Sequence, residues 1–236
     1  MTGIRVAATV VAASIVLFFG EANAHLFHKG WEPPETQLTR DTRVLQLLVD
    51  DPAGPFELAR RVYEGQERAR LKPIGFRRWL TRPNEPGLVF KADYQLERWS
   101  GSLRGEAERI DAARGTRLAP RLAAALTAHD RDGARAALRE MYGVLVEELL
   151  ASLWNHLDQP EVATRLYQFV LGYWSVNLES YFNIHHHVAA SVARTALEAM
   201  SRAIGDAESG APAAPEAFEK QRTRFLRIIH QAMPAR

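Results

Sequence analysis

From Asp130 to Met233, apolar residues return at intervals of three and four, and this rhythm restricts the chain to a helical fold more than any other feature it carries. Between Asp130 and Leu157 the recurring positions are Leu138, Met141, Tyr142, Leu145, Leu149, Leu153 and Trp154. Asp158-Gln159-Pro160 breaks the rhythm and puts a proline where a new helix would start. The spacing then predicts one long helix from Pro160 to about Ile204. Its stripe is Leu166, Val170, Tyr173, Asn177, Tyr181, Ile184 and Val188, widened on other faces by Phe169, Trp174 and Phe182. A helix apolar on several faces belongs at the centre of its bundle. Gly205 to Pro215 reads as a linker, and Pro215 to Met233 as a final helix carrying Phe218, Phe225, Leu226, Ile229 and Met233.

The first ninety residues are less regular. Prolines at 33, 34, 52 and 55 interrupt His25 to Pro55, leaving room for one short helix, Asp41 to Val49. Glu57 to Leu71 reads as a charged helix, Pro73 to Gly87 as loop, Ala92 to Arg114 as a polar helix, and Pro120 to Ala128 as a short one. No alternation of strand length competes with this pattern. The expected fold is all-α, a helical bundle around the helix at about 160–204, with antiparallel neighbours joined by short turns. Its expected organisation is a signal peptide at 1–24, an irregular region with short helices at 25–91, and a helical bundle domain at 92–236.

Residues 1–24 have the three parts of a removable export leader. Arg5 gives the positive start, Val6 to Gly20 the apolar run, and Ala22-Asn23-Ala24 the small-residue cleavage pattern. The apolar run is short of the roughly 20 residues of a membrane span, so no stable span is expected after processing. The expected location is periplasmic or secreted. The chain has no cysteine, so an exported form folds without disulfides, and its 47% hydrophobic composition must supply the core. The missing thiols also exclude thiolate metal sites, iron–sulfur clusters, covalently attached c-type haem and a lipid-anchored mature terminus. A net charge of +2, with acidic residues interspersed, gives no reason to expect a nucleic-acid partner.

Chemistry is suggested by histidines. At about 1.5 Å per residue, residues equally far from a turn stand at one height on neighbouring antiparallel helices. Counting from Asp158-Gln159 puts His129 level with about position 188, and counting from the 204–214 break puts His230 at the same level. His185-His186-His187 lies within a turn of that height. His186, His185, His129 and His230 are therefore the candidate metal ligands, in that order. His187 is expected to face solvent. Imidazole ligands suit copper, zinc, iron and nickel. Cleavage after Ala24 would add His25, whose free amine and ring nitrogen can chelate copper(II) together. Met141, Met200 and Met233 could serve as soft ligands to a non-covalent haem, though core positions are the plainer reading. Glu147, Glu148 and His156 lack the spacing of a di-iron bundle.

No Gly-x-Ser-x-Gly elbow, phosphate-binding glycine loop or His-Glu-x-x-His occurs, so a non-enzyme is favoured. The expected function is an exported metal-binding carrier or accessory protein, with copper preferred and zinc or non-covalent haem kept open. The alternative is an exported helical protein that docks a partner or an apolar ligand, its histidines incidental. Processing is the first test: intact mass or amino-terminal sequencing of exported protein should find His25 as the first residue. Retention of Met1 would remove both the leader and the His25 chelate.

Overall fold

The computed structural model describes residues 36–68, 88–90, 96–98, 101–205 and 210–233, all within one compact unit spanning 33–236. The helices are α1 (Gln37–Asp50), α2 (Phe56–Tyr63), α3 (Leu103–Arg114), α4 (Leu118–Thr127) and α5 (Arg131–Trp154). They continue with α6 (Pro160–Tyr173), α7 (Glu179–His185), α8 (His187–Ala203) and α9 (Pro215–Ala232). A π-helical turn, Trp174–Leu178, joins α6 to α7. The architecture is helical, as the periodicity implies. One small exception is an antiparallel pair of strands, β1 (Leu88–Phe90) and β2 (Leu96–Arg98), with Val89 opposite Glu97.

Helix boundaries follow local chemistry. Thr36 caps α1 in a reciprocal box with Thr39, which starts the helix four residues earlier than apolar spacing alone indicates. The helix expected over Ala92–Arg114 begins only at Leu103. There the Ser102 hydroxyl accepts the Gly105 N–H at 3.1 Å, while Leu96–Arg98 upstream pairs as a strand instead. The helix expected to run from Glu57 to Leu71 ends at Tyr63, ahead of Gly65 at φ +77°. The loop expected at 73–87 lies outside the described residues. Pro160 and Pro215 each open their helix, where a missing N–H costs nothing.

The centre of the bundle is α5. Ala137, Leu138, Met141, Tyr142, Leu145, Val146, Leu149, Leu150 and Leu153 are all buried, an apolar surface too wide for a single neighbour. α6 returns antiparallel beside it, so that Tyr142 and Tyr173 meet with ring centroids 5.5 Å apart. α1 also lies on α5, antiparallel to it: Tyr142 donates to Thr42 at 2.8 Å, and Arg135 pairs with Asp50 at 2.6 Å further on. On the same face, between Thr42 and Asp50, α1 reaches the π turn, where Gln46 donates to Asn177 at 2.7 Å. α9 runs antiparallel to α5, from Phe218 stacked near Trp154 to Ile229 and Met233 beside Gly143. A Cβ on Gly143 would meet the Met233 methyl at 3.2 Å and the Ile229 side chain at 3.7 Å, which shows how closely α9 approaches α5 here.

The segment from Pro160 to Ile204 is not one helix. In an unbroken helix Tyr167 and Leu197 would stand about 45 Å apart. Instead the Tyr167 hydroxyl donates to the Leu197 carbonyl at 2.7 Å. Arg194 likewise reaches back to Glu179 at 3.1 Å. The chain reverses at His186, whose backbone (φ −142°, ψ 49°) leaves the helical region. α8 therefore returns along α6 and α7, and α9 turns back along α8, where the Ala214 N–H bonds the Ala203 carbonyl at 2.8 Å. The last turn needs Gly205 at φ +86°, where a Cβ would come within 2.7 Å of the Ala211 carbonyl oxygen. The expectation of a bundle around one long central helix at 160–204 is thus corrected. That stretch supplies two antiparallel arms, of which α6 packs on α5 and α8 packs on α6, α7 and α9.

The start of α4 has no cap of its own, and Asp111 from α3 provides one. Its carboxylate accepts the Leu118 N–H and the Thr116 hydroxyl at 2.6 Å each, and the Ala119 N–H at 2.9 Å. Burial pushes this carboxyl up, but the hydroxyl and the two amides outweigh it and hold the group below its ordinary value. A carboxylate depressed in the fold stabilises it above the unfolded value of about 3.9, and that contribution disappears as pH falls through the folded value. Asp111→Ala should therefore cost about 1 kcal/mol in urea unfolding at pH 7. The gap from wild type should narrow as the pH drops below about 4. A gap that stays constant down to pH 2, well below that unfolded value, would mean Asp111 does not cap α4 as a carboxylate.

Candidate functional site

The histidines that sequence reasoning singles out occupy three settings. His129 lies in the turn between α4 and α5, at φ +58°, with its exposed ring stacked flat on Phe56 at 4.7 Å between centroids. His230, on α9, places Nε2 3.6 Å from Glu147. His185 and His186 both lie against Tyr181, with centroid separations of 4.9 and 5.4 Å. His25 is outside the described residues.

His185 and His186 lie together as neighbours in the chain, while His129 and His230 lie apart. α8 and α9 do form the hairpin on which the His230 count relies. On α5, however, His230 meets Glu147, about 24 Å along the helix from Arg131 at 1.5 Å per residue, whereas His129 sits just ahead of Arg131. The expectation that His129 and His230 share one height is corrected. The count treated α5, the 160–204 segment and α9 as straight and equally deep, and the reversal at His186 with the placement of α9 removes that assumption. Among the described residues, no group of three or more His, Asp or Glu side chains is placed to hold a metal ion.

What the structure does assemble is the corner at which α7 becomes α8. His186 serves as the C-cap of α7 and the N-cap of α8: its N–H bonds the Phe182 carbonyl at 2.8 Å, and its carbonyl accepts the Ala190 N–H at 2.9 Å. Its half-buried ring sets Nε2 3.3 Å from the Tyr181 hydroxyl. The other neighbour of Tyr181 is cationic, since the Arg139 guanidinium of α5 lies 4.2 Å from the ring centroid. On the far side of the turn, Arg194 holds the two helices together by bonding Glu179 and Asn183 of α7 at once. Glu179 is 9% exposed, so this ion pair has more weight than a surface one and limits how far α8 can swing from α7.

Two large aliphatic side chains flank this corner in solvent, Ile184 at 72% and Val188 at 66% exposure. Both belong to the apolar stripe expected to face inward. For Ile184 the π turn explains the difference, because it inserts extra chain between Tyr173 and Glu179 and rotates the phase of the stripe; Val188 lies beyond the break at His186, in the first turn of α8. Phe182 takes the inward position against Trp174 at 5.1 Å, and Ile184 turns out. A sequence signal for the break was present, because Asn183, Ile184, His185, His186, His187 and Val188 are six consecutive weak helix formers. The ion pair across the corner had no such signal, since Glu179 and Arg194 are neighbours only after the reversal.

The remaining candidates have structural partners. Glu148 pairs with Arg109 at 2.7 Å and Glu147 with Arg114 at 3.2 Å, while His156 Nδ1 lies 3.0 Å from the Ser152 carbonyl. Met141 and Met200 are fully buried in the core. Among the described residues, no helix is long and apolar enough to cross a membrane. No protein-family model matches this chain, and neither a curated protein nor a solved structure shows significant similarity to it.

Proposed function

We propose that this protein is an exported helical binding protein whose contact surface is the α7–α8 corner. Export is supported by the leader features of residues 1–24. The observation that carries the docking role is the exposure of Ile184 and Val188 on either side of the His185–His187 turn. Isolated exposed aliphatics are ordinary on a protein surface. Here two of the most exposed ones share a rigid, ion-paired corner with three imidazoles, which offers an apolar contact rimmed by hydrogen-bonding groups. Replacing both aliphatics leaves the core intact, so Ile184→Ser with Val188→Ser should keep the helical circular dichroism and the unfolding midpoint. A defined species recovered from the native envelope with wild type should be lost with the double variant. Equal recovery by both proteins would sink the docking role of this corner.

A second reading, metal carriage with copper preferred, is supported by one specific observation. His185 and His186 are the two candidate ligands that lie together, both against Tyr181 and beside an exposed His187. Two or three imidazoles on one exposed turn suit copper(II) or zinc with open positions left for exchange, as a carrier requires. Protein dialysed against copper should retain about one equivalent, and His185→Ala with His186→Ala should release it at little cost in stability. Unchanged copper content in that double variant would leave docking alone. Retention that follows only the processed His25 terminus would move the metal site there.

A further inference from the structure

The chain as a whole mixes its charges, but its end does not. From Lys220 to Arg236 there are five Lys and Arg residues and no Asp or Glu. α9 sorts the first of these by face. Phe218, Phe225 and Ile229 are buried against the bundle. At 100° per residue Lys220, Arg224, Arg227 and Gln231 fall within about 60° of one another on the opposite side, a straight line roughly 16 Å long. All four are exposed. Arg222, on the inward side of the helix and partly buried, is held by Glu219 at 2.6 Å, whereas Lys220, Arg224 and Arg227 make no ion pair among the described residues. Two carboxylates border the line. Glu216 stands one turn before Lys220, and Glu147 of α5 lies beside His230, where it also pairs with Arg114.

We infer that this outer face of α9 is a contact surface for an anionic lipid headgroup layer, engaged peripherally and by charge. An unpaired, one-signed stripe on a helix attracts anions, and a straight line of exposed cations, with only a shallow open depression lined by Thr223, Leu226, Arg227, His230 and Gln231 along it, meets a planar partner along its whole length. Single-stranded nucleic acid would require aromatic platforms, and the aromatic residues of α9 point inward. The same inward packing leaves no apolar face to insert, so adhesion would depend on salt, unlike that of an interfacial amphipathic helix. This face is separate from the α7–α8 corner, and the inference does not depend on what that corner binds.

Vesicle co-sedimentation tests it with the full chain. Phosphatidylcholine vesicles containing about a third phosphatidylglycerol should retain the protein at low ionic strength and release it near 1 M salt, where the Debye length is about 3 Å. A triple variant, Lys220→Gln with Arg224→Gln and Arg227→Gln, should partition about a hundredfold more weakly, at roughly fivefold per cation. Arg222→Gln should stay close to wild type, because the cation it removes is already paired. Contributions from the rest of the chain are common to all three proteins, so their differences report α9. Unchanged circular dichroism confirms that each is folded. Equal partitioning of wild type and triple variant would overturn the inference, as would indifference to phosphatidylglycerol. Retention on heparin without retention on anionic vesicles would overturn it in favour of a soluble polyanion.

Discussion

Burial of α5 on nearly all sides is the constraint from which the rest of the fold follows. An ordinary surface helix hides one stripe and needs one neighbour. α5 hides Met141, Tyr142, Leu145, Val146, Leu149 and Leu150, which together face in several directions, and so it has to be enclosed. α6 and α9 cover it as antiparallel neighbours, α4 packs beside its first half, and α1 fills the remaining groove. Enclosure has a polar cost, because a hydroxyl inside a dry core must find a partner. Tyr142 meets it with Thr42 of α1, a bond that also fixes the depth at which α1 lies.

Enclosing α5 from a chain this short depends on the reversal at His186. Left as a single helix, residues 160–204 would extend about 67 Å, far past a partner of 24 residues. The fold-back lays α8 along α6 and α7 and gives α9 a partner on which to pack. Cation–carboxylate bonding of Arg194 to Glu179 closes this turn, and Tyr167 ties α8 to α6 lower down. At the π turn just before it, Trp174 Nε1 and Asn177 Nδ2 are buried without a hydrogen-bond partner among the described residues. Trp174 packs there against Phe182 and Phe225, and Asn177 Oδ1 accepts from Gln46.

The corner and the basic ridge are by-products of that arrangement with separate physical characters. At the corner, rotation of the helical phase pushes aliphatic side chains into water beside imidazoles, which makes a small contact with both apolar and polar parts. Along α9, the demands of the core draw Phe218, Phe225 and Ile229 inward and leave like charges aligned outside, where only long-range attraction operates. The first favours a partner of matched shape, and the second a partner of matched charge.

Local chemistry was legible in the residues alone. Apolar spacing determined that the chain is helical, and Asp158-Gln159-Pro160 and Pro215 determined where two helices begin, because proline at a first helical turn has the same effect in any context. The exposed character of His187 was also legible from its polar neighbours. Tertiary structure decided what depends on residues far apart in sequence. Periodicity carries phase forward only while the helix stays regular, so one π turn was enough to turn Ile184 out and Phe182 in. Height counts assume straight helices, so the reversal at His186 and the placement of α9 separated His230 from His129. Glu179 and Arg194 became an ion pair for the same reason. Their attraction exists only at short range, and the fold alone brings them within it.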